Sequence, residues 1–273
     1  MAEALGLALG FLCFMVGASI FSFLNVVAYR SVKGENFVKG RSYCPSCGHE
    51  LSFMDMLPVF SYIFLLGKCR YCKNHIPVKD TVFEIIGGFL LLASIYKAVA
   101  VTGFNLMDSN TDIYYEVLLR VIFMFLFFMS MDVISLIDMD TMEIRNISVV
   151  TLFVIAVLSA FIMPEITIAD RLIGMVVISL PMLIIALIIP GGFGGGDIKL
   201  MAAGGAFLGW KLILVGFFIA LLSGGLWGVY LLITKKADRK AHFAFGPFLC
   251  AGMSIALLWG EDILNAYLGL LMY

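Results

Sequence analysis

The chain reads as an all-α polytopic membrane protein of about eight transmembrane helices, with a small cytoplasmic zinc-binding segment between the first and second. Three observations predict this. Hydrophobic residues make up 62% of the 273 residues and charged residues only 14%, whereas soluble domains average about half apolar and about a quarter charged. The mean hydropathy is +1.04. Apolar stretches approaching the ~20 residues that cross a bilayer recur along the chain. The formal net charge of −1 leaves no basic excess to neutralise phosphates, which excludes nucleic acid as a partner.

The apolar runs fall at about 5–29, 82–101, 117–137, 147–163, 168–189, 198–208, 212–233 and 245–259. The sixth is short and glycine-rich, and only Gly209-Trp210-Lys211 separates it from the seventh. A last apolar stretch, 263–273, is too short to span by itself. Residues 1–29 are therefore assigned to the first transmembrane helix, 30–80 to a polar cytoplasmic segment and 81–273 to a membrane domain of about seven helices. The first run lacks a basic stretch before it and carries its basic flank after it, so it reads as a retained span rather than a cleaved signal.

Orientation follows from Lys and Arg in the short loops, which concentrate on the cytoplasmic side. Arg30, Lys33, Lys39, Arg41, Lys68, Arg70, Lys73 and Lys79 lie between the first two runs. Arg145, Lys199, Lys235, Lys236, Arg239 and Lys240 fall on the same side by alternation. Lys97, Arg120, Arg171 and Lys211 fall on or near the other. This split puts both chain termini outside the cytoplasm.

The polar segment holds four cysteines, in Cys44-Pro45-Ser46-Cys47 and Cys69-Arg70-Tyr71-Cys72, two C-x-x-C pairs separated by 21 residues. Each sits in a turn-forming context, with Pro45 and Gly48 at the first and Lys73 and Asn74 at the second. Four thiolates at this spacing suit a tetrahedral structural zinc site, and a reducing cytoplasm disfavours disulfides. Such a site would fold a segment too small to own a core. His49 and His75 flank the pairs, but four cysteines already complete the ligand set. His242, in a basic loop, reads as solvated. Cys13 and Cys250 lie within apolar runs and read as packing residues.

The carboxylates carry the chemistry. Asp197 follows Gly194-Gly195-Gly196 at the start of the sixth run, and an acidic group at membrane depth is a functional-site hypothesis by default. Glycine around it lets another backbone approach closely. On local sequence it is equally readable as a helix N-cap. Amide hydrolysis requires a second group at the same depth, one to activate water and one to polarise the carbonyl. Asp132, Asp138 and Asp140 lie near the exit of the third run and Glu84 at the start of the second. Position alone does not choose between Asp138 and Asp140. Asp132 is readable as a buried hydrogen-bonding group, Asp140 as a solvated charge, Glu84 as a cap of its own helix, and Lys199 as a lysine snorkelling to the headgroups.

Several stretches resemble, in order, the type IV prepilin peptidases. They are Ser22-Phe23-Leu24-Asn25-Val26-Val27 with Tyr29-Arg30, Gly34-Glu35, Cys44-Pro45-Ser46-Cys47-Gly48 and Ser61-Tyr62. The order continues through Gly67-Lys68-Cys69-Arg70-Tyr71-Cys72, Leu136-Ile137-Asp138-Met139-Asp140, Gly194-Gly195-Gly196-Asp197-Ile198-Lys199-Leu200 and Phe245-Gly246-Pro247. The resemblance covers nearly the whole chain. It departs from the family pattern at Arg145 and Gly40, where proline is usual, and at Ser31-Val32, where Leu-Pro is common.

The resemblance implies a multi-pass aspartyl endopeptidase of the bacterial plasma membrane, of the Gly-x-Gly-Asp type. It would remove the basic leader of type IV prepilins or pseudopilins at the cytoplasmic face, in pilus or protein-secretion systems. It would also N-methylate the new terminus with S-adenosylmethionine. By motif, Asp138 and Asp197 carry over as the catalytic pair, Gly194 and Gly196 as the active-site loop, and Cys44, Cys47, Cys69 and Cys72 as the zinc ligands. The reading from a different class is a non-enzymatic zinc-stabilised membrane scaffold or cation transporter, which requires carboxylates near the bilayer midplane.

Overall fold

A computed structural model describes residues 2–36, 40–104, 111–189, 192–234 and 243–271. Lys39, Lys235, Lys236, Arg239, Lys240 and His242 lie outside them. Among the described residues the secondary structure is helical, with no named strand. The helices are α1 (Ala2–Lys33), α2 (Phe60–Phe64), α3 (Val78–Thr102), α4 (Thr111–Thr141), α5 (Asn146–Ser159), α6 (Ile168–Val177), α7 (Ser179–Ile188), α8 (Gly195–Ile233) and α9 (Gly246–Leu271). The chain divides into two compact units, Met1–Val121 and Ile122–Tyr273, with the boundary inside α4.

In the first unit α1 and α3 run antiparallel and approach closely through small residues. A Cβ on Gly17 would stand 2.6 Å from the Gly87 carbonyl oxygen, and one on Gly87 would stand 2.2 Å from the Phe21 ring. Phe14 covers Gly88 in the same way. Where lipid supplies no hydrophobic drive between helices, such close backbone approach is what holds a pair together. Asn25 Nδ2 closes the pair at its polar end by donating to the Asp80 carbonyl at 3.1 Å.

In the second unit α8 is the central helix and packs on α5, α6 and α9. Glycines again face one another. A Cβ on Gly205 would stand 2.0 Å from the Gly174 carbonyl oxygen, and one on Gly252 would stand 2.2 Å from that of Gly216. Phe127 of α4 stacks on Phe207 of α8 at 4.5 Å, within a core that includes the fully buried Leu200, Met201, Ile213, Leu249 and Met253.

Each expected apolar run forms helix over most of its length, although the fourth continues past α5 into a turn at 160–163. Six described helical stretches are long and apolar enough to cross a membrane: Ala4–Lys33, Val78–Thr102, Thr111–Thr141, Ile168–Ile188, Gly195–Ile233 and Gly246–Leu270. The fourth run forms α5, only 14 residues long. The sixth and seventh runs are the two arms of α8. Its 39 residues would make a straight helix of about 58 Å, nearly twice the hydrocarbon thickness. The helix breaks at Gly209 (φ 75°, ψ 171°), inside the expected Gly209-Trp210-Lys211 boundary. The left-handed φ makes glycine the suitable residue there. The stretch 263–273 is not a separate tail, because α9 continues without interruption to Leu271.

Arg171 joins three parts of this unit. Its Nη1 donates to the Ala156 carbonyl (3.2 Å), Ser159 Oγ (3.0 Å) and the Ala206 carbonyl just before the α8 break (2.9 Å). Its Nη2 reaches the Met163 carbonyl at 3.4 Å. Carbonyls freed at helix ends and at the break thus find donors in the protein interior, where water does not reach them. Beside it, Trp210 Nε1 donates to Asp170 Oδ1 at 2.9 Å.

Candidate active site and metal centre

Asp138 lies in the last turn of α4 and is 4% exposed, whereas Asp140, two residues on, is exposed. Burial thus separates the two aspartates that sequence position leaves equivalent. The Asp138 Oδ2 accepts the main-chain N–H of Gly246 at 2.9 Å. That N–H belongs to the first turn of α9, whose unpaired donors and dipole favour negative charge.

Asp197 stands at the third position of α8, after the N-cap Gly194. Its half-buried carboxylate lies back against Gly194, where a Cβ would stand 3.1 Å from Oδ2. The residue is not the N-cap that the local sequence allows: Gly194 holds that position, and Asp197 lies in the first turn, where the helix dipole favours its charge. Asp138 and Asp197 lie within electrostatic reach of each other, and the Phe193 and Phe245 rings, just before α8 and α9, stand 6.4 Å apart, so residues 59 apart in sequence come to the same end of the second unit. The α4–α5 turn completes this end. A Cβ on Gly196 would lie 2.8 Å from Ile144 Cβ, and Lys199 Nζ donates to Asn146 Oδ1 at 3.0 Å. Lys199 thus ties the start of α8 to the start of α5 instead of only snorkelling.

The remaining candidates fall elsewhere. Asp132, deeper in α4, is 5% exposed, and neither of its carboxylate oxygens has a hydrogen-bond partner among the described residues, so it is not the hydrogen-bonded group expected. Glu84 does not cap α3. It lies seven residues into that helix and accepts the Val59 N–H at 2.8 Å. Cys250 is buried in α9 within electrostatic reach of Asp132, Asp138 and Asp197, which makes it a neighbour of the carboxylates as well as a packing residue. Gly246 and Cys250 were not legible as site residues, because only the return of α9 past the end of α4 brings them there. The Phe245-Gly246-Pro247 motif was the available signal for Gly246.

A carboxylate pair of this kind can divide acid and base roles. One member draws a proton from water while the other donates a hydrogen bond to a carbonyl.

The four cysteines of the first unit converge. The sulfurs of Cys44, Cys47, Cys69 and Cys72 all lie within 4.8 Å of one another, with Cys44 Sγ 3.9 Å from Cys72 Sγ. A tetrahedral zinc with sulfurs at ~2.3 Å places them about 3.8 Å apart, so the cluster can hold a metal ion. Two matching turns build it. The Cys44 N–H donates to the His49 carbonyl (2.9 Å) and the Cys69 N–H to the Asn74 carbonyl (2.8 Å). Gly48 (φ 70°) and Lys73 (φ 60°) take the left-handed conformation after each second cysteine. His49 packs its ring on Tyr71 at 3.6 Å. Burial pushes the Cys44 thiol up, but the main-chain N–H groups of Cys47 and Ser46 and the neighbouring thiols outweigh it and bring it down to about 7. That favours the thiolate a metal requires.

Comparison with known proteins gives a consistent picture. The Bacterial Peptidase A24 N-terminal domain matches residues 15–98, which carry the cysteines. The Type IV leader peptidase family matches residues 113–229, which carry Asp138 and Asp197. The chain is similar to the prepilin leader peptidase/N-methyltransferase of Bacillus subtilis, 27% identical over 255 residues covering 93% of this chain and 96% of that protein. It is similar to the protein of the same name from Pseudomonas aeruginosa, 29% identical over 282 residues (93% and 91%). It is also similar to that of Aeromonas salmonicida, 28% identical over 243 residues (87% and 77%). No solved structure matches the chain significantly.

Proposed function

Because the chain belongs to the type IV leader peptidase family, we propose that it is a multi-pass endopeptidase of the bacterial plasma membrane. It cleaves the basic leader from prepilins or pseudopilins at the cytoplasmic face and N-methylates the residue exposed. Asp138 and Asp197 form its catalytic pair, with Gly194 and Gly196 as the loop that admits the substrate backbone. The reading is carried by one observation: two carboxylates distant in sequence come within electrostatic reach at one end of the helical unit, Asp138 held by the Gly246 N–H and Asp197 in the first turn of α8.

The pair shares one proton, since like charges that interact at a desolvated site do not both ionise readily. The ionised carboxylate takes a proton from the attacking water. The protonated one hydrogen-bonds the scissile carbonyl oxygen and stabilises the charge that develops there. The Gly246 N–H holds the Asp138 carboxylate without reorganising during the reaction, and the α8 N-terminus does the same for Asp197. A substrate with one apolar helix and a basic leader on the cytoplasmic side presents its cleavage point at the membrane boundary. Both aspartates lie at helix ends suited to that depth.

Cys44, Cys47, Cys69 and Cys72 would hold zinc in a structural role, since four thiolates complete a tetrahedral ligand set. Methylation draws on S-adenosylmethionine as co-substrate. The scaffold or cation-transporter reading finds no support in the matched family.

The test is leader removal from a co-expressed pilin-like substrate by Asp138→Asn and Asp197→Asn, read by mass spectrometry. Both variants abolish cleavage on this reading, and retained cleavage by either sinks it. The same spectrum reports methylation of the wild-type product.

A further inference from the structure

The sequence reading treats 30–80 as one polar segment, yet 56–67, between the two cysteine pairs, contains no charged residue. The structure folds this stretch back along the membrane helices of its own unit. Phe60 sets its ring 6.3 Å from that of Phe11, a residue within the apolar part of α1 and 57% exposed on that helix. Val59 donates its N–H to the carboxylate of Glu84 in α3. Phe11 lies 14 residues, or about 21 Å of helix, from Asn25, where the polar end of the α1–α3 pair begins. A group touching Phe11 therefore lies well below the polar boundary.

We propose that residues 56–67 form a re-entrant segment that enters the bilayer from the cysteine side and is seated among the acyl chains, with Ile63, Phe64 and Leu66 facing lipid. Phe64 is 79% exposed and Leu66 82%, exposures that in water would leave a large unpaired apolar patch. The occupant is lipid because the patch continues the lipid-facing surface of α1 through the Phe60–Phe11 contact. Lys68, Arg70, Lys73 and Lys79, which follow it directly, suit anionic headgroups.

Backbone bonding supports the same conclusion, since non-helical chain at membrane depth must satisfy its own polar groups. The N–H groups of Ser61, Ile63, Leu65, Leu66 and Gly67 donate to the carbonyls of Leu57, Val59, Ser61, Ile63 and Tyr62. The N–H of Val59, which the left-handed φ of 64° leaves outside this pattern, is the one that Glu84 accepts. A half-buried acidic side chain in α3 thereby acquires a role: it caps the entry of the re-entrant turn. The segment would fasten the four-cysteine cluster to the bilayer surface, whatever reaction the second unit performs.

The test uses the full chain in phosphatidylcholine–phosphatidylglycerol vesicles, with an indole introduced by Phe64→Trp or, independently, Leu66→Trp, read as the difference from the parent chain. A Tyr71→Trp variant places the probe on the second cysteine turn as a control. Expected are blue-shifted emission at 64 and 66 and loss of most of it when the acyl chains carry bromine, with acrylamide quenching only the probe at 71. Quenching of the 64 and 66 probes by acrylamide overturns the proposal. So does protection from both quenchers, which would mean that a second copy or another protein helix covers the patch.

Discussion

The main-chain N–H of Gly246 donates to Asp138 Oδ2 at 2.9 Å, so the start of α9 holds the carboxylate at the end of α4. A Cβ on Gly246 would stand 2.6 Å from that oxygen and 2.9 Å from its carbon, and the two cannot coexist undisturbed. Gly246→Ala is expected to lower the rate of leader cleavage by about 10- to 100-fold, equivalent to a charged hydrogen bond of ~1.5–3 kcal/mol. Initial rates on purified prepilin, beside an unchanged helical circular-dichroism spectrum, check it.

Adjacent glycines before Asp197 should differ. A Cβ on Gly195 meets nothing within 4 Å, whereas one on Gly196 meets Ile144 at 2.8 Å. Gly195→Ala should be neutral or stabilise α8 by roughly 0.5–1 kcal/mol. Gly196→Ala should push the start of α8 off the α4–α5 turn and cost most of the activity. Equal activity in the two variants would show that this contact does not set the position of Asp197.

Metal analysis of the purified chain should find zinc with four thiolate ligands. Cys44→Ser and Cys69→Ser should lose it and expose 40–76 to protease, because a metal site of this size supplies the folding free energy of its segment. Cys13→Ser is the control and should retain full metal content.

Asp55 braces that segment. Its Oδ1 accepts Arg70 Nε at 2.7 Å, and its Oδ2 accepts the Ser52 hydroxyl at 2.6 Å and the Tyr71 hydroxyl at 3.2 Å. Burial raises its pKa, but the Ser52 donors and the Arg70 guanidinium outweigh this and hold it below the ordinary 3.8. A carboxylate depressed in the fold contributes stability above its unfolded value, and that stability is lost as pH falls through the folded one. Asp55→Asn should therefore release metal to a chelator faster at neutral pH. It should also remove the part of the acid sensitivity that sets in below about pH 4, as followed by proteolysis of the segment.

Arg171→Met should destabilise the second unit, since each carbonyl deprived of its donor costs on the order of 1–3 kcal/mol. Arg171→Lys should recover only part, because a single ammonium lacks the fork that reaches Ala156, Ser159, Met163 and Ala206 together. Thermal unfolding in detergent micelles reads both. A methionine variant as stable as the parent would mean that the guanidinium contributes no net stability.

The legible parts of this protein are those written in neighbouring residues. Apolar runs announce helices, and the position of the α8 break was readable because a glycine and a lysine interrupt two such runs. The four cysteines announce themselves by spacing. Choosing between Asp138 and Asp140 was beyond position alone, because residues two apart on a helix face nearly opposite directions and only the packing decides which is buried. Asp132 and Glu84 looked like ordinary polar residues of their helices. Their surroundings come from segments far away in sequence.

By itself the sequence determined a membrane protein, the runs that become its helices, a four-cysteine segment and a set of acidic candidates, since hydropathy and ligand spacing are local properties. Tertiary structure alone decided that the Gly246 N–H meets Asp138, that Asp197 in the first turn of α8 comes within electrostatic reach of Asp138, and that Glu84 holds the turn at Val59. These pairings arise when glycine-faced helices pack closely enough for distant ends to converge. That adjacency depends on which small residues face each other across helices, and a single chain's periodicity carries no record of it.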